Sequence, residues 1–255
     1  MIAALPMYDW PEVQDVWDRF WALIRDGFRE EGIDAPDTLD REVGMWEAWE
    51  SPDLLLGQTC GLPYRTRLHG KVAVLGTPDF GLPDAPGGYY YSQVVTRIDE
   101  PGDFADFADK VLAINGFDSQ SGWGSMQNTA AAEGFGFSRI FVSGAHIESA
   151  RAVAEGRADI AAIDGVSWRL LEEHRPKIAS RLRIIRRTET TPGLPMITAP
   201  GNDAARMAHA VEHAIAALAP ADRARIGLRG FETIPAEAYL AVRTPPLPDQ
   251  IDQHG

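Results

Sequence analysis

Between Asp103 and Pro176 the chain alternates two periodicities in quick succession, and this limits its fold more than any single motif does. Val111–Ile114, Phe137–Val142 and Asp159–Ile163 are short apolar runs. Each is followed by a segment with helical character: one opened by a Ser/Gly cluster near 120, then Ala145–Glu155 stopped by Gly156, then Val166–His174 ended by Pro176. Apolar runs of strand length separated by helices read as buried strands of a parallel, doubly wound sheet. A helix near Asp103–Lys110 precedes the series.

The same alternation, looser, fills the rest of the chain. Ile2–Met7 reads as a strand, and Asp9, Pro11 and Glu12 supply the start signals of a helix. Val13, Trp17, Phe20, Trp21, Ile24 and Phe28 follow at helical spacing, a stripe that reads as core packing and not as a cofactor box. Strands are expected near Thr38–Glu42, Asp53–Leu56, Lys71–Gly76 and Tyr90–Thr96, with a short helix around Gly44–Trp49. Asn202 or Asp203 caps a helix running to Leu218, a shorter helix lies near Ala221–Arg225, and the Pro-rich tail TPPLPDQIDQHG is expected to be loose.

With 255 residues, 45% of them hydrophobic, the chain suffices for one large domain or two small ones. A formal charge of −13 argues against nucleic acid or an anionic membrane surface as partner. The charge is uneven: residues 97–192 hold 12 Lys+Arg against 14 Asp+Glu, net −2, so −11 of the −13 lies elsewhere. An anion site is therefore expected in the middle segment, or where local dipoles outweigh net charge. No apolar run approaches the ~20 residues of a membrane span, so no direct membrane insertion is expected. The N-terminus MIAALPMYDWPE lacks a basic n-region and a full apolar h-region. As it stands the chain reads as cytoplasmic, and as periplasmic if a leader has been trimmed.

In open α/β sheets ligands bind beyond the carboxyl ends of the strands. Four segments rich in small and polar residues fall there: GQTCGLPY after Asp53–Leu56, NGFDSQSGWG after Ile114, SGAHIES after Val142, and Asp164 at the end of ADIAAID. The cluster around Ser119 and Ser121 is either a turn or an anion cradle, since a helix start offers unpaired N–H groups and a partial positive charge.

These segments, with GYYYSQVVTR, GAHIESARAVAEGRADIAAIDGVSW and the return segment TPGLPMI, resemble the phosphonate/sulfonate/transferrin-type (PhnD-like) substrate-binding proteins of ABC transporters. The resemblance spans most of residues 1–200, and Gly144–Trp168 is its most specific block. It implies a type II periplasmic-binding-protein fold, two doubly wound α/β lobes joined by two hinge strands. Residues 1–96 and 193–255 would form one lobe and 97–192 the other, with crossings at Tyr90–Arg97 and Thr191–Thr198. It also implies ligand contacts from Ser119, Gln120, Ser121 and Gly122 at the anion, from His146, from Asp164 toward an amine or hydroxyl, and from Tyr91 in the first lobe's wall. Tyr8 and Thr59, beyond the first strands, join the set. Gln120 stands where a small hydroxyl residue is common, and Trp123 adds bulk, so phosphonate is one candidate ligand among several.

Each residue also has a plainer role open to it. Ser121 fits a helix cap, Asp164 fits a cap of the next helix, and His146 fits a satisfied histidine at a helix start. Cys60 reads as a structural free thiol. His209 and His213 lie four apart on a helix, but HAVEH lacks the HExxH order and a third ligand, so no metal is expected. No cofactor and no catalytic set is expected either. The reading is a solute-binding protein that closes by hinge motion around a small anionic or zwitterionic molecule (phosphonate, phosphate or sulfonate-like), with an ABC permease as partner. A cytoplasmic enzyme on the same fold, acting on a small carboxylate or pyrimidine, and a cytoplasmic ligand sensor are the alternatives.

Overall fold

The computed structural model describes residues 1–247. Among the described residues the strands are β1 (Ile2–Ala4), β2 (Leu54–Gln58), β3 (Ala73–Asp79), β4 (Tyr89–Tyr90), β5 (Ser92–Arg97), β6 (Leu112–Ile114), β7 (Ile140–Val142), β8 (Ile160–Asp164), β9 (Leu182–Arg187), β10 (Thr191–Pro192), β11 (Met196–Thr198) and β12 (Gly230–Glu232). Two compact units emerge among these residues: Met1–Tyr89 with Pro192–Tyr239, and Tyr90–Thr191 with residues 240–247.

The first unit is built on a five-stranded sheet ordered β1-β2-β11-β3-β12. β1 and β2 are parallel, and β11 runs antiparallel to both β2 and β3. The aromatic stripe forms helix Gln14–Glu30, which buries Val16, Trp17, Phe20, Trp21, Ile24 and Phe28 and packs on helix Ala204–Ala217. Buried indoles need partners for their N–H groups: Trp17 Nε1 donates to the Tyr8 carbonyl at 3.0 Å and Trp21 Nε1 to that of Pro36 at 3.2 Å. Asp203 caps the second helix, accepting from the Arg206 N–H at 3.2 Å.

The strand expected at Thr38–Glu42 is absent. Asp40 Oδ1 accepts the backbone N–H groups of Glu42 and Val43, each at 3.0 Å. A side chain that offers the backbone a local acceptor makes a turn and spends the donors a ladder would use.

The second unit has the sheet β7-β6-β8-β5-β9. β6 is parallel to β7 and β8, whereas β5 is antiparallel to β8 and β9. The sheet is therefore mixed and not wholly parallel, because β5 enters from the first passage between units and not through a crossover helix. The helix expected over Asp103–Lys110 shortens to a 3₁₀ turn, Phe104–Phe107, whose Asp106 carboxylate accepts the Asp103 N–H at 2.8 Å.

The division into units also differs in detail from the expected lobes. Ser92–Arg97, expected within a crossing, is an interior strand of the second sheet, and the chain passes between units after Tyr89 and after Thr191, where β4 pairs with β10. A further passage follows Tyr239, so residues 240–247 do not stay with the first unit, to which residues 193–255 were expected to belong. Asn128 on helix Ser125–Ala132 holds that segment, donating from Nδ2 to the Arg243 carbonyl at 2.8 Å. Residues 248–255, most of the expected loose tail, lie outside the described residues. No helix among the described residues is long and apolar enough to cross a membrane.

Candidate functional site

In the second unit β6, β7, β8 and β9 run the same way and end at Ile114, Val142, Asp164 and Arg187. β5, reversed, begins at this same edge, with Ser92 opposite Asp164. After β6 the chain forms a π-helical turn, Gln120–Gly124, that runs directly into helix Ser125–Ala132.

Ser119, not Ser121, is the cap. Its Oγ accepts the Gly122 N–H at 3.0 Å, and its carbonyl accepts those of Trp123 and Gly124 at 3.2 and 2.9 Å. Ser125 Oγ donates to the Gln120 and Ser121 carbonyls, both at 2.8 Å, and Trp123 is fully buried edge-on to Phe117. The wide turn is thus fixed from both ends. Gly122 is demanded by space: a Cβ there would lie 2.0 Å from Asn115 Oδ1. The backbone donors of Gly122, Trp123 and Gly124 are therefore engaged within the turn, which shifts any anion contact toward side-chain hydroxyls.

Freed from capping, Ser121 reaches sideways. Its Oγ lies 2.7 Å from His146 Nε2 and 3.3 Å from Ser119 Oγ. His146 opens helix His146–Ala154, and Ser143 before it bonds Ile114, Ala145 and Ser149, which ties that helix start to the end of β6. Burial pushes the imidazole down to about 4, with the Ala162 backbone acting in the opposite direction. At neutral pH it is uncharged, so the Ser119–Ser121–His146 chain consists of neutral groups able to turn donors toward an oxyanion.

Asp164 is 2% exposed, and its Oδ1 accepts the Val166 and Ser167 N–H groups at 2.8 and 3.1 Å, capping helix Gly165–His174. Its plainer role is therefore real for one oxygen. Tyr91 is buried, its carbonyl accepts the Gly165 N–H at 3.0 Å, and the Arg187 guanidinium lies 4.7 Å over its ring. Tyr91 belongs to the second unit, not to the first as expected. Hydrogen bonds and strand pairing thus join Ser119, Gln120, Ser121, Gly122, His146, Asp164 and Tyr91 at one edge. Tyr8 and Thr59 belong to the first unit. Tyr8 is buried edge-on to Phe80, and Thr59 is fully buried.

Three residues that the sequence did not point out take part. Ser92 Oγ donates to the Ser121 carbonyl at 3.0 Å and Asn115 seats Gly122. Arg187 brings a cation to this edge, over the Tyr91 ring. The RIIRR run of β9 marks Arg187 as basic, but only the pairing of β9 with β5 puts it beside Tyr91.

Among solved structures, XAC2383 from Xanthomonas citri bound to ATP is similar over 100% of this chain and 98% of that one, with TM-score 0.70 and 14% identity. PhnD1 from Prochlorococcus marinus in complex with methylphosphonate matches over 93% of this chain and 94% of that one, with TM-score 0.69 and 15% identity. A binding-protein component of an ABC phosphonate transporter from Pseudomonas aeruginosa matches over 92% and 81%, with TM-score 0.66 and 16% identity. Their fold is the two-lobe type II periplasmic-binding-protein fold, as expected for this chain. No curated protein matches. The family model for the ABC-transporter, phosphonate, periplasmic substrate-binding protein matches residues 58–239, well over half of the chain, and the chain belongs to that family.

Proposed function

We propose that this substrate-binding protein takes a small phosphonate, phosphate or sulfonate-like anion at Ser119, Ser121 and His146 and delivers it to an ABC permease. The observation that carries the reading is the 2.7 Å contact between Ser121 Oγ and His146 Nε2 at the edge where four strands end. Neutral hydroxyl and imidazole groups replace water around the oxyanion without adding a buried charge of their own. The two passages at Tyr89/Tyr90 and Thr191/Pro192 are where the chain bends on closing. Asp164 meets an amine or hydroxyl of a zwitterionic ligand, with Tyr91 at the same edge.

The same Ser–His contact has the form of a nucleophile and its base. An enzyme needs a third group to orient the imidazole. Among the described residues, however, no side chain is hydrogen-bonded to His146 Nδ1, and what acts on the ring besides Ser121 is the Ala162 backbone. Binding without chemistry is the better fit.

Titration calorimetry with methylphosphonate, inorganic phosphate, methylsulfonate and ATP tests the reading, followed by mass spectrometry of each mixture. One of the four binds saturably and is recovered intact. Ser121→Ala weakens it by on the order of 1–3 kcal/mol, the loss of a hydrogen bond to a charged group. An unchanged Kd in that variant would remove Ser121 from the site, and turnover of the ligand would replace binding with catalysis.

A further inference from the structure

Helix Ala204–Ala217 of the first unit turns Met207, Ala210, Val211, Ala214 and Ile215 inward. His209 and His213, four residues apart, lie exposed on the opposite side. Their rings lie in contact, with centroids 4.1 Å apart and planes tilted by 48°. Side chains at this spacing meet over one turn, and here the two that meet are both imidazoles. Arg206, one turn earlier, is the nearest cation along the helix, and its charge is answered by Glu31 at 3.1 Å.

We infer that His209 and His213 form a two-point chelate for a borderline divalent cation, Cu²⁺, Ni²⁺ or Zn²⁺, separate from the serines of the second unit. Imidazole nitrogen suits these ions, at bond lengths of ~2.0–2.1 Å for zinc, and two rings this close bring two such donors within reach of a single ion. From the spacing alone the pair offers two ligands and not three. Among the described residues no group of three or more His, Cys, Asp or Glu is placed to hold an ion. A two-point chelate leaves the remaining positions to water. The site is therefore an exchangeable surface one, not a structural one that the fold depends on.

The test uses the full chain without an affinity tag, titrated with CuCl₂, NiCl₂, ZnCl₂ and, as a control, MgCl₂. Saturable one-to-one binding is expected, tightest for Cu²⁺ and undetectable for Mg²⁺, and saturating Cu²⁺ raises the thermal midpoint because it binds the folded helix preferentially. His209→Gln and His213→Gln each weaken Cu²⁺ at least tenfold, whereas His69→Gln and His174→Gln leave it unchanged. Both helix positions are exposed, and an unshifted metal-free midpoint verifies that the variants fold. Equal Cu²⁺ affinity in the wild type and both helix variants, or no saturable binding, would overturn the site.

Discussion

His146 faces two demands: it must hold Ser121 in place and stay uncharged while doing so. Burial holds its folded pKa at about 4, below the ordinary 6.5 of a histidine. Below pH 6.5 the unfolded chain takes up a proton that the folded chain refuses, so stability falls as pH falls from about 6.5 to about 4. The total is on the order of 3 kcal/mol. Denaturant midpoints at pH 7 and pH 4.5 should converge in His146→Gln relative to the wild type, since the variant cannot titrate there. An identical pH slope in both proteins would show that the imidazole is not buried as described. Gly122 is tested by a pair of substitutions. Gly122→Ala pushes a methyl onto Asn115 Oδ1 and should cost about 1–3 kcal/mol. Asn115→Ala in the same chain should recover most of it. Among the described residues Asn115 Oδ1 has no hydrogen-bond partner, so its removal strands none of them.

At the scale of elements, the edge of the second sheet depends on how its helices start. Asp164 is the cap of helix Gly165–His174 as well as a proposed ligand contact, and substitutions separate the roles. Asp164→Asn keeps an oxygen for the Val166 and Ser167 N–H groups and should unfold near the wild-type midpoint. Asp164→Ala should lose about 1 kcal/mol in urea unfolding. Against an amine-bearing phosphonate, Asp164→Asn should weaken binding while leaving inorganic phosphate unaffected. Equal loss for both ligands would confine Asp164 to capping. The paired crossings also constrain sequence: a Cβ on Gly193 would lie 2.5 Å from the Gly88 carbonyl oxygen, the acceptor of the Gly193 N–H at 2.8 Å. Only glycine lets the two backbones approach so closely.

For the molecule as a whole, ligand should act through both stability and shape. At a hundredfold excess over Kd a bound anion should stabilise the folded chain by about 2.7 kcal/mol. Small-angle scattering should then record a smaller radius of gyration with ligand than without. An unchanged radius at saturation would argue against hinge closure while leaving binding intact. The uneven charge predicts a further effect. With net −2 on residues 97–192 and −11 elsewhere, salt should screen repulsion of an incoming anion and modestly speed its association.

Much of the framework was legible in the sequence because short apolar runs and helical stripes report burial directly. The stripe from Trp17 to Phe28, the strands around residues 112–114 and 160–163, and the helix starting at His146 were all readable on that ground. So was the family, through the block Gly144–Trp168. What the sequence could not decide depended on partners distant along the chain. Whether Asp40 ends a strand or closes a turn depends on which backbone donors its carboxylate meets. The direction of β5 depends on its arrival from the other unit. Ser119 and Ser121 are the same residue type two positions apart, and only the approach of His146, 25 residues on, makes one the cap and the other the reaching hydroxyl. Local periodicity is a property of the chain by itself, whereas the role of a polar group is set by whatever the fold brings within about 3 Å of it.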